Sequence, residues 1–292
     1  MRAGVLAEDR PYRIAVVAPS NSFEGATADR LQALVQRLYP DGRARVAVAA
    51  QAYMREGHFA GSDAERAAAL VAAANDPACD AIWFARGGYG SGRLIERVLP
   101  ELTEAARAKA WLGYSDGGAL LGALYANGFE HVAHGPMPQD ILRDGGEAAV
   151  ARALAWLVDG DAGALEPSVD GAAPTAAFNM AVLSSLIGAP WQPDFTDHVL
   201  MLEEIGEYMY RIDRFLFHIT SDPSVRRARG IRLGRCSDVP PNDPDFVLDE
   251  VEICQHWCGV AGIDYLGRAD IGHDAANKVV PFGRSPYPSR GR

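Results

Sequence analysis

The sequence predicts an α/β protein whose parallel sheet is covered by helices on both faces. Three short apolar runs, Ile14–Ala18, Ala81–Ala85 and Trp111–Tyr114, have the pattern of buried strands. Segments with helical periodicity separate them, and this alternation favours parallel strands joined by crossover helices. Of the 292 residues, 48% are apolar and 23% are charged, as in ordinary globular proteins, which argues against disorder and fibrous repeats.

The other elements follow from periodicity and turn signals. In the first half we expect a helix through Leu31 and Leu38, a strand around Val46–Ala49, and helices over Ala64–Ala74, Leu102–Lys109 and Ala119–Ala126. An Ala-rich helix and then Asp/Gly/Pro-rich chain between about Gly145 and Ala173 mark a domain junction, which predicts domains 1–165 and 174–292. The second domain is smaller, and for it we expect a helix over Phe178–Ile187, a strand over Val199–Leu202, an amphipathic helix over Arg211–Thr220 and a helix over Val247–Cys258.

Charge and cysteine usage narrow the function classes. The formal net charge is 28 − 38 = −10 with no basic block, which argues against nucleic-acid and membrane-surface partners. Four cysteines without a CxxC spacing support neither a structural zinc nor a disulfide framework. Glu8 and Asp9 stand where a signal peptide would place its apolar stretch, and no apolar run is long enough for a membrane span. We therefore expect a cytoplasmic protein.

The strongest local signal is Gly113-Tyr-Ser-Asp-Gly117, a G-x-S-x-G motif between a predicted strand and a predicted helix. In that context the motif forms a nucleophile elbow, a sharp turn that exposes the Ser115 hydroxyl beside backbone N–H groups. The alternative is that Ser115 only caps the following helix.

A glycine-rich segment, Arg86-Gly-Gly-Tyr-Gly-Ser-Gly92, follows the strand Ala81–Ala85. It lacks the Lys-Ser/Thr pair that ends a P-loop motif, and as an isolated segment it could equally be a flexible surface turn. In a parallel sheet, however, it lies at the same edge as Ser115, where such folds bind ligands. A glycine loop beside a serine elbow suits an oxyanion hole.

A serine nucleophile needs a base and an acid, which we seek among seven histidines and the glutamates that follow the strand Val199–Leu202. His273 is preferred as the base because its predicted loop leaves the ring free to be aimed. His134 is the second candidate, and His218 is expected to be structural. For the acid, Glu203 competes with Glu204 and Glu207. If side chains alternate along the strand, only one of Glu203 and Glu204 can reach the cleft.

Seven motifs in chain order resemble the LD-carboxypeptidase (muramoyltetrapeptide carboxypeptidase) family, which includes microcin C self-immunity peptidases. They are Ala-Pro-Ser (18–20), Arg-Gly-Gly-Tyr-Gly (86–90), Gly-Tyr-Ser-Asp (113–116), His-Gly-Pro-Met (134–137), Leu-Glu-Glu-x-Gly-Glu (202–207), Tyr-Arg-Ile-Asp-Arg (210–214) and Gly-His (272–273). The resemblance spans roughly residues 13 to 284. This chain departs from it at Ala177-Phe-Asn-Met180, where relatives usually carry Gly-Gly-Asn-Leu, and at Asp274-Ala-Ala-Asn277, where Gly-Asp-Pro-Asn is commoner.

The resemblance implies a Ser-Glu-His triad, Ser115, Glu203 and His273, in a cleft between two domains. It also implies an oxyanion hole of backbone N–H groups from Gly87 or Gly88 and from Asp116. Substrate contacts are expected from Arg86, Tyr89 and Asn179.

The implied reaction is hydrolysis of the L,D peptide bond before the terminal D-Ala of a cytoplasmic murein tetrapeptide, by a homodimer without metal or organic cofactor. Three alternatives stay open. They are an immunity-type peptidase that cuts aminoacyl-nucleotide conjugates, an α/β-hydrolase-like esterase with its histidine in the serine's domain, and a non-catalytic module that binds an anion at the glycine loop.

Overall fold

The computed structural model of the chain describes residues 10–284 and 287. It contains two α/β domains, each built on a sheet of mainly parallel strands, as the sequence predicts. The N-terminal sheet has six strands in the order β10-β5-β4-β3-β1-β2. Their bounds are β1 Tyr12–Val17, β2 Ala44–Val48, β3 Ala81–Phe84, β4 Ala110–Gly113, β5 Val132–His134 and β10 Val280–Pro281.

The C-terminal sheet has four parallel strands in the order β6-β7-β8-β9. Their bounds are β6 Thr175–Asn179, β7 Val199–Ile205, β8 Gly230–Ser237 and β9 Tyr265–Arg268. The α-helices are α1 Gly25–Leu38, α2 Asp63–Asn75, α3 Ile95–Val98, α4 Glu104–Arg107, α5 Gly118–Ala126, α6 Gly146–Leu154, α7 Met180–Leu186, α8 Met209–Ser221 and α9 Glu250–Ala261.

The N-terminal sheet is buried on both faces, which explains its continuous apolar strands. Phe84 and Trp111 pack on the face that holds α2 and α5, whereas Trp83 and Leu112 pack on the opposite face, against residues of α1 and α6. The first of these two cores continues into the C-terminal domain through Phe178 and its neighbours. The two domains therefore share apolar contacts, which hold the helix behind Ser115 against the second sheet.

Glycines on α5 permit this close packing of the domains. A Cβ added to Gly122 would lie 3.0 Å from Leu186 and 3.2 Å from the Phe178 ring. A further link is β10, which leaves the C-terminal domain and pairs antiparallel with β5, so that Val280 lies opposite His134. A segment from beyond the C-terminal domain thereby forms one edge of the N-terminal sheet.

Several predicted elements differ from the structure. The helix expected over Phe178–Ile187 begins only at Met180, because Phe178 and Asn179 complete strand β6, which the sequence analysis missed. The apolar run at the start of this segment is short, and periodicity alone does not show whether so short a run forms a strand or a helix. The helix expected over Leu102–Lys109 is a single turn, Glu104–Arg107.

The last predicted helix, Val247–Cys258, is displaced towards the carboxyl end. It begins at Glu250, because Asp249 accepts hydrogen bonds from the N–H groups of Val251 and Glu252 and so caps the helix. Strands β5, β8, β9 and β10 were also not predicted. The expectation about a leader segment concerns residues 1–9, which lie outside the described residues. Within the described chain, no helix is both long and apolar enough to cross a membrane.

Candidate active site

Ser115 occupies a sharp turn between β4 and α5. Its φ is +57°, in the left-handed region that non-glycine residues rarely adopt, and such conformations cluster at functional sites. Gly113 and Gly117 flank the turn, and a Cβ on either would lie 2.6 to 2.7 Å from the Phe84 ring. The glycines of the motif are therefore needed for the turn to pack on β3, and the Ser115 side chain projects from a constrained backbone.

A continuous hydrogen-bonded chain connects Ser115, His273 and Glu203. The Oγ of Ser115 lies 3.0 Å from Nε2 of His273, and Nδ1 of His273 lies 2.6 Å from Oε2 of Glu203. Glu203 is fully buried and His273 is 8% exposed. The arrangement has the form of a nucleophile, a base and an orienting acid.

The environment of His273 shifts its proton affinity in two opposing directions. Burial lowers the pKa of His273, whereas the charge of Glu203 and the hydrogen bond that the imidazole donates to its carboxylate raise it. The contributions that raise the pKa prevail, so the pKa of His273 lies above its ordinary value of 6.5.

The three side chains come from separate elements. Ser115 follows β4, Glu203 lies on β7, and His273 lies in the loop between β9 and β10. Ion pairs hold that loop, because the Arg235 guanidinium binds Asp270 on one side of His273 and Asp274 on the other. His273 is thus aimed by its loop as well as by Glu203.

The glycine-rich loop lies directly against Ser115. A Cβ on Gly87 would lie 2.7 Å from the Ser115 Oγ, and a Cβ on Gly88, whose φ is +115°, would overlap the Asn21 side chain. The Asp116 carboxylate accepts hydrogen bonds from the Ser20 hydroxyl at 2.5 Å and from the Ser91 N–H at 2.8 Å. This fixes the residue after Ser115, so the loop backbone and the Asp116 backbone both border the serine.

A cavity of about 570 Å³ opens beside Ser115 between the two domains. Tyr89, which is 58% exposed, and Asn179 line it together with Glu204 and Glu207. Asn179 bonds to helix α7 and to strand β7. Its Oδ1 accepts from the N–H of Val182, and its Nδ2 donates to Glu204 at 2.6 Å.

The expectation that only one of Glu203 and Glu204 reaches the cleft is wrong. Glu203 contacts His273, while Glu204 lines the cavity on the other face of β7, because the cleft surrounds both faces of the strand at its end. Burial raises the pKa of Glu204 to about 7, although hydrogen bonds from Ile205, Asn179 and Ala181 oppose the shift.

The other candidate residues have different surroundings. His134 is buried and shares a hydrogen bond with Asn277 at 3.2 Å, and burial lowers its pKa to about 4. His218 pairs with Ser184 on the outer side of the C-terminal domain. Arg86 donates to the Ser22 carbonyl at 3.2 Å and faces a separate small pocket. Glu207 forms an ion pair with Arg211 at 2.8 Å.

The sequence analysis missed residues that support the site from behind. The Tyr114 ring lies 4.9 Å from the His273 ring, and its hydroxyl donates to Asp140 at 2.8 Å. Arg143 donates to the His273 carbonyl, and the Asn277 Oδ1 accepts from the N–H of Gly272 at 3.3 Å. No sequence spacing connects these supporting residues with one another. Asn277 was named in the sequence analysis, as the last residue of Asp274-Ala-Ala-Asn277. Within residues 10–284, no group of three or more His, Cys, Asp and Glu is placed to hold a metal ion.

Comparisons with known proteins agree with this architecture. Residues 14–135 match the LD-carboxypeptidase N-terminal domain, and residues 174–285 match the LD-carboxypeptidase C-terminal domain. The murein tetrapeptide carboxypeptidase of Pseudomonas aeruginosa is 26% identical over 293 residues, covering 94% of this chain and 92% of the relative.

Two solved structures share the fold. The muramoyltetrapeptide carboxypeptidase of Oxalobacter formigenes aligns with a TM-score of 0.74 at 23% identity, over 93% of this chain and 92% of the other. The microcin C7 self-immunity protein MccF in complex with aspartyl sulfamoyl adenosine aligns with a TM-score of 0.76 at 17% identity, over 94% and 92%.

Proposed function

Since the chain belongs to the LD-carboxypeptidase family of peptidases, we propose that it is a serine peptidase with Ser115 as nucleophile, His273 as base and Glu203 as orienting acid. The observation that carries the proposal is the hydrogen-bonded chain from Ser115 Oγ through His273 to Glu203, with distances of 3.0 and 2.6 Å. The buried carboxylate contacts one ring nitrogen of His273 and the serine hydroxyl contacts the other, which is the order that a serine nucleophile requires.

The mechanism follows from these positions. The Ser115 Oγ attacks the peptide carbonyl carbon while Nε2 of His273 accepts the hydroxyl proton. Backbone N–H groups of Gly87 or Gly88 and of Asp116 stabilise the tetrahedral oxyanion. The C–N bond then breaks as His273 returns the proton to the leaving amine. In the second half of the reaction His273 deprotonates a water molecule, which attacks the acyl carbon. The bond between that carbon and the Ser115 Oγ then breaks, His273 returns the proton to Oγ, and the shortened peptide leaves as the free acid.

For the substrate we propose a murein tetrapeptide, cut at the L,D bond before its terminal D-Ala in the cytoplasm. The name of the Pseudomonas aeruginosa relative and its alignment along 94% of this chain support this choice. The four cysteines are free, which suits a reducing compartment. A homodimer is a further prediction from the family resemblance, and light scattering of the purified protein would test it.

The immunity-type activity on aminoacyl-nucleotide conjugates is the second candidate, favoured by the shared fold with MccF. Trp191 lines the cavity and could stack on a base. Among the described residues that line this cavity, the one guanidinium, Arg93, is already paired with Asp63, which leaves no unpaired arginine for a phosphate group. We therefore rank it below the murein peptide. An α/β-hydrolase-like esterase is not supported, because Ser115 and His273 follow strands of different sheets.

The test is incubation of the protein with L-Ala-γ-D-Glu-meso-diaminopimelate-D-Ala and mass detection of released D-Ala, with Ser115→Ala as the inactive control. An aspartyl adenylate analogue with a cleavable amide would be assayed in parallel. Release of D-Ala by the native protein alone supports the proposal. Cleavage of only the nucleotide conjugate would support the second candidate, and a folded protein that cleaves neither would contradict both.

A further inference from the structure

Arg66 of helix α2 is a buried cation that the mechanism above does not use. The exposed fraction of this residue is 0%. Its Nη1 donates to the carbonyl of Pro19 and, at 3.0 Å, to the carbonyl of Gly90, and its Nη2 pairs with Asp63. Burial of a guanidinium is unfavourable unless hydrogen bonds and opposite charge compensate for the lost water. These three contacts therefore keep Arg66 in the interior.

Stability alone does not account for an arginine at this position. Asp63 is shared, because its two carboxylate oxygens also accept from Arg93 at 3.0 and 2.7 Å. The Nε of Arg66 is buried and has no hydrogen-bond partner in the described part of the chain. Replacing a buried ion pair by apolar side chains is often neutral or stabilising. What the guanidinium provides, and an apolar side chain would not, is a hydrogen bond to each of two backbone carbonyls.

Arg66 and Asp116 hold the same two chain segments, Pro19-Ser20 and Gly90-Ser91. The first residue of each pair accepts a hydrogen bond from Arg66 through its carbonyl. The second residue of each pair donates to Oδ2 of Asp116, the hydroxyl of Ser20 at 2.5 Å and the N–H of Ser91 at 2.8 Å. The two segments are thus fixed at one end by a guanidinium and at the other end by a carboxylate.

This hydrogen-bonded ring includes both backbone segments of the proposed oxyanion hole. Asp116 directly follows Ser115, and Gly90 belongs to the same glycine-rich loop as Gly87, which borders the Ser115 hydroxyl. The loop is packed closely at Gly90, whose φ is +128°, because a Cβ there would lie 2.8 Å from Nη1 of Arg66. Oxyanion donors act only when the protein holds them at the position of the developing charge, and small displacements reduce the rate strongly.

We propose that Arg66 is a positioning residue that fixes the glycine-rich loop relative to Asp116 and so sets the geometry of the oxyanion hole. The assignment rests on the proposed peptidase function of Ser115. Arg66 acts through the carbonyls of Pro19 and Gly90, without contact with the substrate. Its loss should therefore impair stabilisation of the tetrahedral intermediate. Proton transfer by His273 should keep its pH dependence, because the bonds of His273 to Ser115 and Glu203 do not involve Arg66.

The experiment compares Arg66→Met with the matched control Arg107→Met. Arg107 also donates to a carbonyl, that of Asn127 at 2.9 Å, and also lies over a phenyl ring, that of Phe129, but it precedes β4 whereas Ser115 follows it. Arg66→Met should lower kcat on the murein tetrapeptide by about 10²-fold with little change in KM, and Arg107→Met should keep kcat.

A second readout reports on the oxyanion hole itself. The L-Ala-γ-D-Glu-meso-diaminopimelate portion is prepared as its aldehyde, to which Ser115 adds, giving a tetrahedral adduct whose oxygen lies in the hole. Arg66→Met should weaken the binding of this aldehyde by about the same factor as kcat, and the midpoint of the pH profile should stay in place. Arg66→Lys keeps the charge but has one amine for two carbonyls, so its losses should be smaller, about tenfold.

The outcomes separate this proposal from the proposed function. A folded Arg66→Met with native kcat and native aldehyde affinity would overturn the positioning role and leave the peptidase intact, as would a loss confined to KM or a displaced pH midpoint. If circular dichroism shows that Arg66→Met does not fold, the same comparison on Arg66→Lys decides.

If the native protein does not cleave the tetrapeptide, the rate at which a fluorophosphonate labels Ser115 replaces kcat. Slower labelling of Arg66→Met than of Arg107→Met would then support the positioning role without the peptidase activity, and equal labelling would overturn it. A native protein that reacts with neither peptide nor probe would overturn both proposals.

Discussion

Glu203 and Glu204 are consecutive residues of strand β7, yet their carboxylates serve opposite sides of the cleft. Glu203 accepts from His273 at 2.6 Å and is fully buried. Glu204 accepts from Asn179 and from the N–H of Ala181 and lines the cavity. Strand geometry sends neighbouring side chains to opposite faces, so one dipeptide can supply both a triad acid and a wall of the cavity.

The first prediction separates these two glutamates. Glu203→Gln should lower kcat by roughly 10³- to 10⁴-fold, because an amide no longer stabilises the imidazolium or holds the correct tautomer. Glu204→Gln should cost far less turnover, with a loss of unfolding free energy of about 1 to 3 kcal/mol from its disturbed hydrogen bonds. Turnover of both variants on one substrate, with urea unfolding, measures this. A dead Glu204→Gln beside an active Glu203→Gln would reverse the assignment.

The second prediction concerns the nucleophile. Ser115→Ala should reduce kcat by several orders of magnitude, because triad residues act as a unit. The fold should be retained, since the lost hydroxyl bonds only to His273 among the bonds described, and circular dichroism checks this. Ser221→Ala, which removes an exposed hydroxyl from the end of α8, is the matched control. Near-native turnover of Ser115→Ala would end the serine-peptidase proposal.

The third prediction follows from the raised pKa of His273. A general base must be neutral, so kcat/KM should rise with pH and have its midpoint above 6.5, the ordinary pKa of the imidazole. In Glu203→Gln the charge that raises the pKa is lost and burial dominates, so the midpoint of the residual activity should fall. The pH profile of each variant is the measurement.

A control is needed for that profile because the pKa of Glu204 is raised to about 7. The midpoint assigned to His273 should persist in Glu204→Gln. If the midpoint disappears in that variant and remains in Glu203→Gln, the observed titration belongs to Glu204.

The fourth prediction assigns a positioning role to His134. Burial lowers the pKa of His134 to about 4, so its imidazole is neutral near pH 7. Its hydrogen bond is with Asn277 rather than with Ser115. His134→Ala should lower stability by roughly 2 to 4 kcal/mol, as large-to-small core substitutions do, and leave the midpoint of the pH profile in place. His134→Gln, which can still bond to Asn277, should recover part of both stability and turnover. A profile whose midpoint vanishes in His134→Ala would make that histidine the base.

The fifth prediction tests the contact between the glycine loop and the serine. Gly87→Ala places a methyl group 2.7 Å from the Ser115 Oγ, so the serine or the loop must move, and kcat should fall by about 10²-fold or more. Gly259→Ala on α9, where the new methyl group meets nothing within 4 Å, is the control and should leave kcat unchanged. Equal turnover of both variants would contradict a role for this loop in the reaction.

Strands β1, β2, β3, β4 and β7 were predicted from the sequence, whereas β5, β6, β8, β9 and β10 were not. β1, β3 and β4 are continuous apolar runs, because helices cover both faces of their sheet. β8 contains Gly230, Arg232 and Arg235, which weaken its apolar pattern, and β10 has only two residues. The pairing of β10 with β5 joins chain segments almost 150 positions apart, and local periodicity does not encode such a contact.

The sequence by itself determined the α/β class, because apolar strands alternate with helical patterns along the chain. It also determined the elbow at Ser115 and the glycine loop, because the backbone geometry at both places requires small residues. It also selected Glu203 and His273 as candidates, from their predicted places after a strand and in a loop and from an ordered set of motifs, and not from any physical distance. Only the tertiary structure decided that Ser115 and His273, 158 positions apart, lie at 3.0 Å, and that Glu204 faces the cavity. The reason is that apolar packing between the two domains brings the ends of strands from both sheets into one cleft, and that packing depends on the whole chain.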